Sequence, residues 1–324
     1  MKRAFLLPSI LLLEVILFLA AGSPSQNSIS ELSRYAHNFL SEVLAQSVPL
    51  LLLACGMTII MMAGGIDLSP AAALVLVAAV MGEFSGGSAF WYTAIPVGLL
   101  VALLLGLFNG ALVGFLGIPP IIATLGTMIF FRGLCFVVLG DDETEVFISV
   151  PGYDHLGSVK GASFIFLPTI LLFLGWLRFS AWRLELLTIG GNPVASLYAG
   201  IRVERRWLQA YLVMGVFYFL AAVSFTARNS AVSASSLAGL ELQVIVAVIL
   251  GGTSVQGGRG SLIGTIWGVL IIAVLEEGLR EAAVWGQSYF SFKISHLRYL
   301  VLGALLVFAV WLNQRSETGL KRMV

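Results

Sequence analysis

Gly190-Gly191-Asn192-Pro193-Val194-Ala195-Ser196-Leu197-Tyr198-Ala199-Gly200-Ile201 reads as a short, well-capped helix between two long apolar runs. Asn192 suits the N-cap, because its side chain accepts from the first free backbone N–H groups. Pro193 falls at the first helical position, where its missing donor costs nothing. Gly200 suits the left-handed conformation that ends a helix. Val194, Leu197 and Tyr198 then share one face at i, i+3, i+4 spacing. Arg178, Arg183, Arg202, Arg205 and Arg206 flank the helix. A small helix with an apolar face, on a basic loop between membrane spans, needs a partner to cover it. The expected fold is therefore a membrane bundle acted on from its cytoplasmic side.

Composition fixes the class. Of 324 residues, 59% are hydrophobic and 11% charged, against roughly 25% charged in a soluble domain. Mean hydropathy is +0.98. The apolar runs are continuous and about 17–25 residues long, not the alternating segments of a barrel. This is an all-α integral membrane protein, read as a single transmembrane domain over 1–324. The net charge of +1 selects no partner, and nothing suggests nucleic acid. Cys55 and Cys135 lie inside apolar runs as small buried hydrophobes, without metal spacing or a disulfide framework. The stretch to Ala21 is read as a retained span. Its apolar run is long for a signal peptide and contains Glu14.

Apolar runs between breakers give about ten transmembrane helices, near 4–21, 44–65, 70–88, 91–114, 120–139, 163–178, 207–226, 242–256, 260–279 and 297–313. Broken or re-entrant segments fall near 64–70 and 251–260. The polar intervals are 22–43, 140–162, 179–206 and 280–296. With the N-terminus inside, Lys2, Arg3, Arg178, Arg183, Arg202, Arg205, Arg206, Arg259, Arg315, Lys321 and Arg322 lie on the cytoplasmic side. They outnumber Arg34, Lys160, Arg228, Arg280, Lys293 and Arg298 outside. Both termini are therefore expected in the cytoplasm. The loop 179–206, with its helix at 192–200, lies there too, and the acidic run Asp141 to Glu145 lies outside. Ile59 to Met81 and Val246 to Ile272 echo each other: apolar run, Gly-Gly, polar turn, helix.

Candidate path residues cluster at the breaks. Gly64-Gly65-Ile66-Asp67-Leu68-Ser69-Pro70 allows a tight turn, with Ser69 as helix cap and Pro70 as first helical residue. Asp67 stands before a helix N-terminus, which favours negative charge. The structural reading is a capped turn; the functional reading is a broken helix bordering a path. Thr124 and Thr127 either line a polar path or bond back to their own helix. Arg132, within a span, calls for an ion-pair partner. Gly98, Ala102, Gly106, Gly110 and Gly114 recur at four-residue spacing, as do Gly260, Gly264 and Gly268, which suits close helix packing. Asn109 and Trp267 stand beside these stripes. Thr253 and Ser254 lie in the second break, whose glycines lack the Lys-Ser/Thr of a phosphate loop. No catalytic set and no metal site is apparent, and His37, His155 and His296 fall outside.

Four motifs then occur in order: Gly-Gly-Ile-Asp-Leu-Ser at 64–69, Ile-Ala-Thr-Leu-Gly-Thr-Met at 122–128 with Arg132-Gly133, Gly-Gly-Asn-Pro at 190–193 with Gly200-Ile201, and Leu-Gly-Gly-Thr-Ser…Gly-Gly-Arg-Gly-Ser at 250–261. Together, over roughly 44–313, they resemble the transmembrane permease of bacterial monosaccharide ABC importers, the ribose/xylose/galactose type. The resemblance implies an inner-membrane, dimeric permease, homo- or hetero-, with no cofactor of its own. A cytoplasmic ATP-binding subunit would hold ATP and Mg. A periplasmic or lipid-anchored protein would deliver the sugar. Asn192, Pro193, Val194, Leu197, Tyr198 and Gly200 match the segment that docks on the ATPase. Two departures stand out: Pro70-Ala71 replaces the usual Val-Gly, and Gln243 stands where an acidic residue is common. Related permeases take autoinducer-2, nucleosides or branched-chain amino acids. The opposing class is an ion-coupled secondary transporter, which places ionisable groups in midplane helices. Here only Glu14, Arg132 and Asp67 are candidates.

Overall fold

The computed structural model describes residues 2–21, 29–85, 90–140, 145–286 and 297–321. In chain order the helices are α1 (Lys2–Ala21), α2 (Ile29–Met62), α3 (Pro70–Glu83), α4 (Ala94–Gly114), α5 (Pro120–Leu139), α6 (Val159–Phe179), α7 (Ala181–Gly191), α8 (Pro193–Tyr198), α9 (Val203–Asn229), α10 (Leu240–Leu250), α11 (Leu262–Gly286) and α12 (Leu297–Lys321). Among the described residues, six helices are long and apolar enough to cross a membrane: α2, α4, α5, α6, α9 and α11. Four shorter apolar stretches lie at Leu7–Ile16, Pro70–Glu83, Leu240–Leu250 and Leu300–Trp311.

The short ones revise the expected spans. Fourteen-residue α3 is about 21 Å long at 1.5 Å per residue, less than the ~30 Å hydrocarbon core. The run at 242–256 is helical only to Leu250, and 70–88 only to Glu83. Conversely, α2 begins at Ile29, so much of the polar interval 22–43 is helical, and α11 runs on to Gly286. An unforeseen helix, α7, occupies 181–191; Ser180 caps it, accepting from Trp182 N–H at 3.2 Å. Pairing also occurs in an otherwise helical chain: β1 (Val146–Phe147) and β2 (Ala231–Val232) form a two-residue antiparallel ribbon.

The core follows from side-chain size. α3 is apolar on every face, and Ala71 to Val75 are fully buried, as expected of a helix without a polar stripe. The Gly98–Gly114 stripe is a packing surface. A Cβ on Gly106 would overlap Tyr211 O, and one on Gly114 would lie 2.6 Å from Glu204 O. Gly215 likewise faces Ala102 O at 2.7 Å, so α4 and α9 run antiparallel at backbone contact. Gly264 and Gly268 play the same part against Gly251 and Ala247, pairing α11 with α10. α5 and α6 lie outermost, exposing Ile122, Ile129, Phe164 and Leu172.

Contacts sort the loops to two ends. Residues 62–70, 114–120, 187–207 and 251–262 meet at one, where Gly65 faces Trp207 and Pro120. At the other, Gly82 faces Val146 and Gly157 faces Arg228. Tyr153 is buried at that second end, its hydroxyl 2.7 Å from Thr226 Oγ1 and its ring 4.8 Å from Phe90.

Candidate functional site

The first break is built on Asp67, which is fully buried. Its carboxylate accepts from Ser69 N–H at 2.8 Å, from the Ser69 hydroxyl at 2.7 Å and from the Tyr218 hydroxyl. Asn109 Nδ2 donates to Ser69 Oγ at 2.9 Å. Leu68 N–H donates to Thr124 Oγ1 at 3.0 Å. The Thr124 hydroxyl in turn donates to Pro120 O at 2.8 Å. Five of the expected path residues are thus neighbours in one region joining α3, α4, α5 and α9, and Thr127 donates to Thr124 O at 3.2 Å. One expectation fails: Ser69 occupies the N-cap of α3 but makes no side-chain cap bond, because its hydroxyl donates to the Asp67 carboxylate, which also accepts Ser69's own N–H. Pro70 is the first helical residue. Tyr211 lies close by, and among the described residues its hydroxyl and Asn109 Oδ1 are buried without a hydrogen-bond partner.

The second break meets the first. Gly258 N–H donates to Met62 O at 3.1 Å. A Cβ on Gly257 would lie 2.6 Å from Gly64 Cα and 2.8 Å from Gly190 Cα, and one on Gly190 would overlap Met62 O. Gly64 and Gly257 have φ of +91° and +86°, a region that side chains resist. Three backbones therefore cross where only glycine fits: the end of α2, the end of α7 and the α10–α11 break. Thr253 and Ser254 are buried in that break. Asn313 Nδ2 holds Thr253 O at 2.8 Å, and Gln256 N–H donates to Ser254 Oγ at 3.2 Å.

From Gly190 the chain passes through Gly191 into α8. Asn192 caps it as the sequence indicates, accepting from Ala195 N–H at 3.0 Å, and Pro193 opens it. Gly200 has φ +80° and stands just past its end. Ser196 faces inward, while Val194, Leu197 and Tyr198 are 60%, 53% and 90% exposed. The apolar face is uncovered. Glu185 of α7 pairs with Arg206 of α9, bracing α8 from both sides.

Sequence reasoning missed a polar cluster at the opposite end. Glu42 of α2 pairs with Arg228 of α9. Arg280 donates to both oxygens of buried Glu277 at 2.9 and 2.6 Å. Gln46 Nε2 reaches Glu42 at 2.6 Å and Glu277 at 3.3 Å. Beside it lies a cavity of about 350 Å³ lined by Glu42, Gln46, Arg228, Asn229, Gln243 and Glu276, among others. Leu237, with φ +60°, is on its wall. The available signal was helical: Glu42 and Gln46 are four residues apart and Glu277 and Arg280 three, so each pair shares a face. Among the described residues Arg132 has no carboxylate partner; it donates to Ala234 O and to Ser236 O at 2.9 Å. Of the acidic run, Asp141 to Thr144 lie outside the described residues, as does His296. No group of three metal-ligating side chains occurs among the described residues.

Buried polar breaks in a bundle with six helices long and apolar enough to cross a membrane mark a multi-pass membrane protein. Residues 39–310 match the family described as branched-chain amino acid transport system / permease component, and the chain belongs to it. Among its relatives, the ribose import permease protein of Bacillus subtilis is 33% identical, over 82% of this chain and 81% of that one. The D-allose transport system permease protein of Escherichia coli is 31% identical, over 86% and 83%. The autoinducer 2 import system permease protein of an Enterobacter strain is 28% identical, over 92% and 91%. No solved structure matches.

Proposed function

We propose that this chain is the inner-membrane permease of an ATP-driven importer, translocating a monosaccharide handed over by an extracytoplasmic binding protein. The observation that carries the reading is the pair of pentose and hexose permeases matched over more than four-fifths of each chain. ATP and Mg belong to a separate cytoplasmic subunit, and a second permease subunit completes the pathway. The exposed face of α8 is the docking element for the ATPase, since a short apolar helix is buried by insertion into a partner's groove. The path is bordered by the two breaks, through Asp67, Ser69, Thr253 and Ser254, with Asn109, Thr124 and Thr127 supporting the first. The end bearing α8 and both termini faces the cytoplasm.

A second reading, autoinducer-2 import, is favoured by the Enterobacter relative, which covers slightly more of both chains. Uptake of labelled ribose, allose, fructose, galactose, autoinducer-2 and leucine by cells expressing the complete system separates the two. Uptake of one of the sugars supports the leading reading. Uptake of autoinducer-2 alone supports the second. Neither survives if a branched-chain amino acid is the only solute taken up.

A further inference from the structure

A groove of about 520 Å³ lies where the end of α6, the start of α7 and the start of α11 converge. Its walls are apolar, with Met62, Leu174, Leu177, Leu262 and Ile263. Ile263 is 63% exposed and Phe179, at the rim, 86%, so the groove is open to the surface of the bundle, beside exposed Leu171 and Leu172 of α6. Arg178 and Arg183 also line it, at the helix ends, and among the described residues no carboxylate does. Arg206, at the start of α9, is already engaged with Glu185. Arg178 and Arg183 make no hydrogen bond or ion pair among the described residues. The helix end is not the attractor, because Ser261 already caps α11, accepting from Gly264 N–H at 3.1 Å.

We propose that this groove binds one anionic phospholipid. The phosphate lies on Arg178 and Arg183, and an acyl chain lies along Leu174, Leu262 and Ile263. Two guanidiniums match a phosphate geometrically as well as electrically. A soluble anion would leave the apolar wall uncovered, and a zwitterionic lipid would leave net positive charge beside hydrocarbon. Basic pockets between membrane helices recognise anionic headgroups by this combination. Met62 lines the groove and its carbonyl holds Gly258, so the lipid abuts the strand of chain leading into the glycine crossing.

The test uses the full-length chain in phosphatidylcholine nanodiscs containing a minor fraction of phosphatidylglycerol, with retained lipid counted by native mass spectrometry. Phosphatidylglycerol should be enriched over phosphatidylcholine on the wild type. Each arginine contributes about fivefold near a membrane surface, so R178Q/R183Q should retain it about 30-fold more weakly. R178K/R183K, which keeps the charge, should retain most of it. Excess inorganic phosphate should not displace it, because the acyl chain anchors the lipid. Equal retention of the two lipids by the wild type overturns the proposal, even if the glutamine variant does not fold. So does unchanged retention by a folded R178Q/R183Q, or full displacement by phosphate, which marks a soluble-anion site. A change in protomer association in the variant, with lipid retention unchanged, assigns the groove to a second copy and also overturns it.

Discussion

Asp67 concentrates the chemistry of the first break in one side chain. Removing its carboxylate strands the Ser69 N–H and one hydroxyl proton, since the Ser69 and Tyr218 hydroxyls, 3.1 Å apart, can still bond each other, at about 1–3 kcal/mol for each unsatisfied group. Asp67→Ala should therefore cost several kcal/mol, seen as a clear drop in the melting temperature of the purified chain. Asp67→Asn, whose amide oxygen still accepts, should cost less, and Tyr218→Phe, which removes one donor, about 1 kcal/mol. An asparagine variant less stable than the alanine variant would contradict this account of the break. The sequence placed Asp67 before a helix and Pro70 at its start, because those signals are local. It could not show that the Ser69 hydroxyl turns back to the Asp67 carboxylate instead of capping α3, since a serine at that position can do either. Tyr218 was invisible, being 151 residues from Asp67. Arg132 failed for a related reason: burial demands a partner, but spacing does not say whether it is a carboxylate or the carbonyls of a turn.

At the scale of elements, α8 and the glycine crossing form one continuous device. Gly190 and Gly191 are neighbours with opposite surroundings: a Cβ on Gly190 meets Met62 and Gly258, and a Cβ on Gly191 meets nothing within 4 Å. Gly190→Ala should push α7 off the two breaks and lower uptake while the ATPase stays bound and hydrolyses ATP. Gly191→Ala should behave as wild type. Equal uptake by the two variants would remove the crossing from the transport cycle. Leu197→Asp acts on the other side of α8. Burying a leucine is worth roughly 1.5–3 kcal/mol, so its loss, with a charge added, should release the ATPase in detergent from a folded permease. Retention equal to wild type, with transport intact, would end the docking role. The limits of α8 were legible because Asn192, Pro193 and Gly200 are strong punctuation. α7 was not, because its cap, Ser180, lies inside a basic loop whose polarity masks an ordinary helix. The breaks were legible as breaks. That they touch was not, since Gly64, Gly190 and Gly257 are brought together by tertiary packing alone.

For the whole molecule, composition identified the membrane class, and the ordered motifs led to the family. Span lengths were the weak point. Apolar runs look alike whether they cross a bilayer or fill its centre, so α3 and α10 were read as full spans. Of the ion cluster, the sequence marks only Arg228 and Arg280, as charges outside; their partners Glu42 and Glu277 are 186 residues away and one turn away, and neither stands out in an amphipathic helix end. Sidedness is open to direct measurement: Cys55 and Cys135 are buried, so introduced thiols report alone. A cysteine at exposed Ala199 should react with an impermeant maleimide only in inside-out vesicles, and one at exposed Ser149 only in right-side-out vesicles. The reverse pattern would invert the topology. The central claim is that import is driven by a partner's ATP hydrolysis, and it is tested most directly by uptake into proteoliposomes holding the permease, its ATPase and its binding protein. The account predicts accumulation of a monosaccharide that requires ATP, stops when hydrolysis is blocked and is indifferent to proton or sodium gradients. Accumulation driven by an ion gradient with the ATPase absent would contradict it.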